Sequence, residues 1–365
     1  MRQRILVVAQ NMDVGGIQTS LVNLLKFIDK QHADECEIAL FSFGKGALLN
    51  QIPESVSVAT GNRLLQLSAE PFFSVLKRKQ PVDILLRILL MIYVRVWGPE
   101  RFYRKQFRRY MSSDVYDIAI SYFNDVPHNY FNQGTNLFVS EYVQAKKKVA
   151  WIHSDPIKAN FDADYCRRIY RNYDSIVCVS RAVESNFHKL IPEYAKKTSV
   201  VHNYIPADEI RAMAQTASPY FGEGYHIVTV GRVDNTSKRM DGIVRVCSRL
   251  QCEGVTGFKW HIVGNGPDLP GNQQLASELG VTELICFEGE KINPFPYIKH
   301  ADLFALYSAY EGFPMVIGEA QALDTFILTT NYAAAKEQIS PEQGIIAEND
   351  EEFYQELKRL IVCRN

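Results

Sequence analysis

Apolar residues in this chain come in short unbroken runs more often than in strict alternation. RILVVA (4–9), residues 37–41, YDIAIS (116–121), the apolar part of KKVAWIHSDP (147–156), SIVCVS (175–180) and the start of SVVHNYIP (199–206) are of strand length. Runs of this kind are expected of strands covered on both faces, as in a parallel sheet. Between them the spacing changes. After the first run, Ile17, Leu21, Leu24, Leu25 and Ile28 recur at helical intervals, and a helix is predicted from about Arg181. The alternation restarts with HIVTVGRV (226–233), FKWHIVGNGP (258–267), ELICFEGE (283–290), LFALYS (303–308) and TFILTT (325–330), and a final helix is predicted over about 350–362. The expected fold class is α/β with two Rossmann-like domains facing each other across a cleft. Their predicted bounds are 1–205 and 206–350, with 351–365 a closing helix free to pack back on the first domain.

A length of 365 residues suits two such cores better than one. The seven cysteines form no C-x-x-C pair, and several lie in apolar runs, as Cys178 and Cys286 do. Buried free thiols in a reducing compartment are expected. MRQRILVVAQ has no cleavage site, so no secretory signal is expected, and no uncharged run reaches the ~18 residues of a membrane span.

Charge changes the picture more than composition does. The net charge of -1 conceals 27 Lys+Arg against 19 Asp+Glu through Ile205, and 13 against 22 beyond it. The basic half should face something anionic. No nucleic-acid motif accompanies it, so nucleic acid is not an expected partner. Residues 72–110 concentrate the asymmetry. They hold basic residues at 77, 78, 79, 87, 95, 101, 104, 105, 108 and 109 against only Asp83 and Glu100. Tyr93, Trp97, Phe102, Tyr103, Phe107 and Tyr110 are interleaved with them. Two readings stand: helices lying on an anionic membrane surface, or core helices with solvated basic faces. The one-sided charge favours the first.

Candidate chemistry collects where predicted strands end and helices begin, the edge at which α/β sheets bind ligands. SAYEGFPMVIGEAQA (308–322) places Glu311 in a loop after a strand and Glu319 in the next helix, whose first turn Pro314 would open. The N–H groups after Gly312 favour an anion, commonly phosphate. Taken singly, Glu311 could merely complement a helix dipole and Glu319 lie on a solvated face. Gly231 and Arg232 end another strand, with Lys238 and Arg239 at the following helix start. Cations converging there suit a diphosphate. Gly15 and Gly16 join the first strand to the first helix, without the G-x-G-x-x-G of dinucleotide enzymes. His153 stands at a strand's C-terminal edge. Asn203 follows the last strand of the first half and would either face the cleft or cap the next helix.

Together these segments resemble retaining glycosyltransferases of family 4, which have the GT-B fold. E-G-F-x-x-x-x-x-E at Glu311–Glu319, G-R followed by lysine at Gly231, Arg232 and Lys238, the histidine at 153 and H-N-Y-I-P from His202 match the family's motifs in order. One extra residue after Arg232 leaves Lys238 or Arg239 as the inward cation, with Lys238 preferred. The resemblance is dense over 150–330 and thin between 45 and 145, where the family recognises acceptors.

The resemblance implies transfer of a sugar, with retention, from a nucleoside diphosphate sugar to an acceptor hydroxyl. Arg232, Lys238 and the amides after Gly312 would stabilise the leaving diphosphate. Glu319 would bind ribose, Glu311 would position the sugar, and His153 would contact it near the reacting carbon. Gly15, Gly16, Asn203, Gly231, Phe313, Met315 and Val316 complete the expected donor site. A UDP-sugar is the expected donor, with no cofactor and, since no D-x-D is found, no essential metal. A lipid-linked saccharide in bacterial surface-polysaccharide assembly is the expected acceptor, at the inner face of the cell membrane. A nucleotide-sugar epimerase and a non-catalytic nucleotide-sugar-binding subunit are the alternatives.

Overall fold

The computed structural model describes residues 2–125, 131, 134–216 and 221–363. They form two compact units, Met1–Tyr204 and Ile205–Asn365. In the first, Gln3–Ala9 (β1), Cys36–Ser42 (β2), Ser57–Thr60 (β3), Val115–Ser121 (β4), Gln144–Ile152 (β5), Ser175–Cys178 (β6) and Thr198–Val200 (β7) make one sheet. Its order is β3-β2-β1-β4-β5-β6-β7, and every pairing is parallel. In the second, Tyr225–Val230 (β8), Phe258–Val263 (β9), Ile285–Gly289 (β10), Leu303–Leu306 (β11), Ile327–Thr330 (β12) and Gly344–Ala347 (β13) are ordered β10-β9-β8-β11-β12-β13, again all parallel. Each unit is Rossmann-like, as the apolar runs predict.

The second unit's core shows why those runs lack alternation. Trp260, Ile227, Ile262 and Leu303 face one side, where Ile243, Val244, Cys247 and Leu250 of the helix Met240–Cys252 cover them. Two buried polar groups there, on Trp260 and Thr229, are satisfied in series. Trp260 Nε1 donates to Thr229 Oγ1 (2.9 Å), and that hydroxyl donates to the Ala305 carbonyl (2.6 Å). The closing helix, Asp350–Val362, is capped by Asn349 and buries Phe353, Tyr354, Leu357 and Ile361 in this same core. It thus belongs to the core of the second unit.

Residues 72–110 depart furthest from expectation. They fold as helices Phe72–Lys77, Pro81–Trp97 and Pro99–Phe107 and a short 3-10 turn, with Gly98 at φ +79 between the longer two. Phe102, Tyr103 and Phe107 lie in the core, Tyr103 stacked on Phe107 with centroids 5.4 Å apart. These aromatics therefore do not face outward among the cations. The helix Pro81–Trp97 is polarised the other way. It buries Asp83 and Arg87 beside Leu90 and Val94 and exposes Val82, Leu85, Ile88, Leu89, Ile92, Val96 and Trp97. Asp83 accepts from Arg63 Nε (2.7 Å), while Arg87 donates to the Glu70 carbonyl (2.9 Å) and lies 4.1 Å from the Phe131 ring centroid.

Cys166, Cys178 and Cys247 are buried free thiols, but Cys252 and Cys363 are exposed, and Cys36 and Cys286 half-buried. At the ends of β8 and β9 the backbones nearly touch. Gly264, at φ +157, leaves room for no Cβ, which would stand 1.8 Å from the Gly231 carbonyl oxygen. Gly264→Ala should therefore destabilise the second unit by at least ~1 kcal/mol, because both the conformation and the space exclude a side chain. A lowered denaturant midpoint for that unit is the expected reading, and an unchanged one would refute the close-approach role.

Candidate functional site

In the second unit the loops after β8 and β11 meet. Ala309 N donates to the Ser237 carbonyl (2.8 Å), which joins the loop carrying Lys238 to the loop carrying Glu311. Across that junction Lys238 Nζ and Glu311 form an ion pair, with side chains 19% and 13% exposed. The Lys238 stem passes over Gly231, where a Cβ would lie 3.8 Å from it. Arg239 takes another path: its guanidinium pairs with Asp350 and lies 4.3 Å from the Tyr307 ring centroid. Lys238 is therefore the cation turned toward Glu311, and Arg239 ties its loop to the closing helix.

Arg232 remains largely exposed and is held by Asp234, whose Oδ2 accepts from Nε at 3.0 Å. Asp234 is a residue of this unit that motif reading missed. It is buried, and its carboxylate also accepts from the Ser237 amide (2.7 Å) and hydroxyl, which shapes the turn before Lys238. Burial raises its pKa, but the Ser237 hydrogen bonds and the Arg232 charge outweigh this and hold it low. Its place two residues after Arg232 was the available signal.

Pro314 is the N-cap of the helix Met315–Ala322, one residue earlier than expected. Its carbonyl accepts from Gln338 Nε2 (2.9 Å), which anchors the turn from behind. Gly312 and Met315 are buried, Phe313 and Val316 half-buried. Glu319, on this helix, is buried rather than solvated and has no hydrogen-bond or charge partner among the described residues. Desolvation pushes its pKa up to about 7.

The first unit presents its own polar edge. His153 follows the last residue of β5, and its amide donates to Asn124 Oδ1 (3.1 Å). The imidazole rests 4.7 Å from the Tyr122 ring centroid, and neither ring nitrogen has a hydrogen-bond partner among the described residues. Burial drives its pKa down to about 3, so it stays neutral at physiological pH. Asp155 accepts from the amides of Ile157 and Lys158 and from Asn186, which fixes the loop after His153. Asn124 and Asp125, after β4, were not anticipated. Asp125 is buried and accepts from the Tyr165 hydroxyl (2.8 Å), and burial pushes its pKa up to about 6.

Gly15 has an extended φ of -178 and caps the helix Gly16–His32, while a Cβ on Gly16 would meet open space. Neither glycine is required by backbone strain, and both leave the loop surface clear. Asn203 is half-buried and lies before the helix that starts at Ala207 with Pro206 at its N-cap. It does not cap that helix.

Residues 224–362 match the family model described as Glycosyl transferases group 1. An uncharacterized glycosyltransferase of Methanocaldococcus jannaschii is 24% identical over 225 residues, which cover 57% of this chain and 54% of the relative. A 4-alpha-N-acetylgalactosaminyltransferase of Campylobacter jejuni, named for an N-acetylgalactosamine-N,N'-diacetylbacillosaminyl-diphospho-undecaprenol substrate, is 26% identical over 187 residues, or 49% of each chain. The chain thus spans about half the length of these curated relatives. Among solved structures, Anabaena HepE in complex with UDP-glucose superposes with a TM-score of 0.64 at 18% identity, covering 99% of this chain and 89% of that one. The lipopolysaccharide outer core galactosyltransferase WaaB gives 0.58 at 17% identity, covering 99% and 91%. The fold is GT-B.

The Glu319 carboxylate makes stability depend on pH in a definite direction. In the unfolded chain it ionises near the ordinary value of 4.5, and in the folded protein near 7. Native stability from this group is thus greatest at low pH and falls by about 3 kcal/mol as pH rises through that interval. Glu319→Gln should match the parent near pH 4 and exceed it by about 3 kcal/mol above pH 8 in urea unfolding. A difference that is equal at both pH values would refute the desolvation argument.

Proposed function

We propose that the protein is a retaining glycosyltransferase that moves a sugar from a nucleoside diphosphate sugar, a UDP-sugar, to a hydroxyl of a lipid-linked saccharide in surface-polysaccharide assembly. The observation that carries this reading is the junction of Arg232, the Lys238–Glu311 pair and the buried Glu319 where β8 and β11 lead into helices. Further support comes from the group 1 match over 224–362 and from the substrate named for the Campylobacter relative.

Departure of the diphosphate is the costly step, since charge develops on its oxygens. Arg232 is exposed and oriented by Asp234, ready to neutralise that charge. Lys238 contributes by exchanging some of its interaction with Glu311 for the diphosphate. That exchange frees the carboxylate to accept hydrogen bonds from sugar hydroxyls, so one contact reads both parts of the donor. Glu319 offers a desolvated acceptor to a ribose diol, which would satisfy a group otherwise left without partners. His153, neutral and unpartnered, can hydrogen-bond a hydroxyl without a competing ionisation. The acceptor proton passes to the departing phosphate oxygen on the same face of the sugar, so no residue is assigned as base.

Docking on an anionic lipid surface belongs to the same proposal, by a different set of residues from those the charge pattern first suggests. Arg87 is buried, Arg78 pairs with Glu70, and Arg104 pairs with Glu100 and Glu141. Lys77, Lys79, Arg101, Lys105, Arg108 and Arg109 are exposed and make no ion pair among the described residues. The apolar contribution comes from Val82, Leu85, Leu89, Ile92 and Val96, a continuous exposed stripe at helical spacing. No helix among the described residues is long and apolar enough to cross a membrane.

Calorimetry with UDP and turnover with a panel of labelled UDP-sugars test the site. Glu319→Ala should weaken UDP itself, whereas Glu311→Ala should keep or tighten UDP binding, because Lys238 is released, and depress turnover. Arg232→Ala and Lys238→Ala should each cost about 2–4 kcal/mol of transition-state stabilisation. Epimerised donor would replace the transferase reading with an isomerase, and binding without turnover on any acceptor would leave a nucleotide-sugar-binding subunit.

Vesicle co-sedimentation tests the surface. The triple variant Leu85→Glu, Leu89→Glu and Ile92→Glu should lose most binding to anionic vesicles while remaining folded. Salt should release the parent only in part, since apolar insertion is not screened. If the variant binds as well as the parent, or instead converts a dimer to a monomer, the stripe is not a membrane contact.

A further inference from the structure

The second unit carries a second cluster of reactive groups, apart from the junction just described. On β8, β9 and β10, residues alternate between the Trp260 core and the opposite face. The opposite face holds His226, His261, Cys286 and Glu288. His261 Nδ1 lies 2.8 Å from Glu288 Oε1, and its Nε2 lies 3.1 Å from His226 Nδ1. One donor atom from each of His261, Cys286 and Glu288 falls within 4.8 Å of the other two. The Tyr297 hydroxyl donates to the remaining Glu288 oxygen at 3.3 Å, and Phe221 stacks on both imidazoles. His261 is buried while Cys286 and Glu288 are half-buried, so one side of the cluster is reachable from solvent.

A hydrogen-bonded chain from Glu288 through His261 to His226 accounts for three of these side chains and leaves the thiol unexplained. A thiolate, an imidazole and a carboxylate converging on one point form an N, S and O donor set that suits a borderline-soft divalent ion. The outer contacts follow the usual pattern around such ions. The far nitrogen of the histidine is engaged by a second group, and the non-ligating carboxylate oxygen accepts a hydrogen bond.

We propose that His261, Cys286 and Glu288 bind a zinc ion that fastens the edge strand β10 to β9, with His226 and Tyr297 orienting the ligands. Three protein ligands leave a fourth tetrahedral position for water. On binding, the thiol proton passes to solvent, while His261 and His226 each shift their proton from Nδ1 to Nε2, which frees His261 Nδ1 for the metal and lets its Nε2–H donate to His226; no electron transfer is involved. β10 is bonded to the sheet on one side only, so a tether there acts where a parallel sheet opens most readily. The inference is independent of the glycosyltransferase reading.

The untagged, reduced chain, stripped with chelator, is titrated with cobalt(II) and then zinc(II). The expected result is one cobalt per chain with a thiolate-to-metal charge-transfer band that zinc abolishes. Cys286→Ser should lose the band and bind zinc more than ~10-fold more weakly, and His226→Asn should keep the band at ~10–100-fold lower affinity. In the parent protein, zinc should slow alkylation of Cys286 but not of the exposed Cys252 and Cys363, as read by peptide mass spectrometry. This arm does not depend on any variant folding. Absence of a thiolate band, its survival in Cys286→Ser, or equal alkylation of Cys286 with and without zinc would overturn the site.

Discussion

A parallel sheet must be covered on both faces, and each unit of this protein is arranged around that requirement. Crossover helices return every strand in the same direction, so all the strand ends of a unit collect along one edge. Polar side chains that would be costly within the layers find their place there. The loops after β8 and β11 lie side by side because those strands are neighbours, and the Ser237–Ala309 hydrogen bond joins them. Gly264 and Gly266 let the turn after β9 lie directly on the backbone of 231–233. Arg232 and Lys238 are therefore presented from a fixed base, not from a mobile loop.

Charge at that edge is managed in two ways. Lys238 and Glu311 hold each other in a partly buried ion pair. Glu319 has no such partner, and burial moves it toward the neutral form. The first arrangement keeps charge available for exchange with an ionic ligand. The second keeps unsatisfied hydrogen-bonding capacity for polar, uncharged groups.

What could be read in the sequence was whatever is local. Strand runs and strand-to-helix junctions are contiguous, so β1, β8, β11 and the loops with Gly15, Arg232 and Glu311 were all visible. The choice between Lys238 and Arg239 was not, because it depends on Asp350, more than a hundred residues away. Asp234 and Asp125 were passed over because their importance lies in what they hold: Ser237 and Arg232 in one case, Tyr165 in the other. The His226, His261, Cys286 and Glu288 cluster is spread over three strands with no diagnostic spacing, and only the sheet register assembles it. In residues 72–110 the composition was read correctly but its orientation was not. Alternating cations and aromatics do not say which face turns inward, and the second half of the region buries its aromatics.

The orientation of the helix Pro81–Trp97 is the least economical feature of the first unit. A helix folding for stability alone would bury Leu85, Leu89 and Ile92, each worth ~1.5–3 kcal/mol when removed from water. It would also leave Asp83 and Arg87 in solvent. Instead Asp83 and Arg87 are buried alongside Leu90 and Val94, and the interior charges are only partly compensated. Asp83 has Arg63, but Arg87 Nε and Nη1 make no hydrogen bond among the described residues, and burial lowers the guanidinium pKa to about 10. An outward apolar face of this kind is what the proposed docking on an anionic lipid layer would cover, with aliphatic side chains in hydrocarbon and exposed cations of the same region at phosphate. Asp83, paired with Arg63, and the buried Leu90 and Val94 together define the inward face of the helix and so leave the apolar stripe outward.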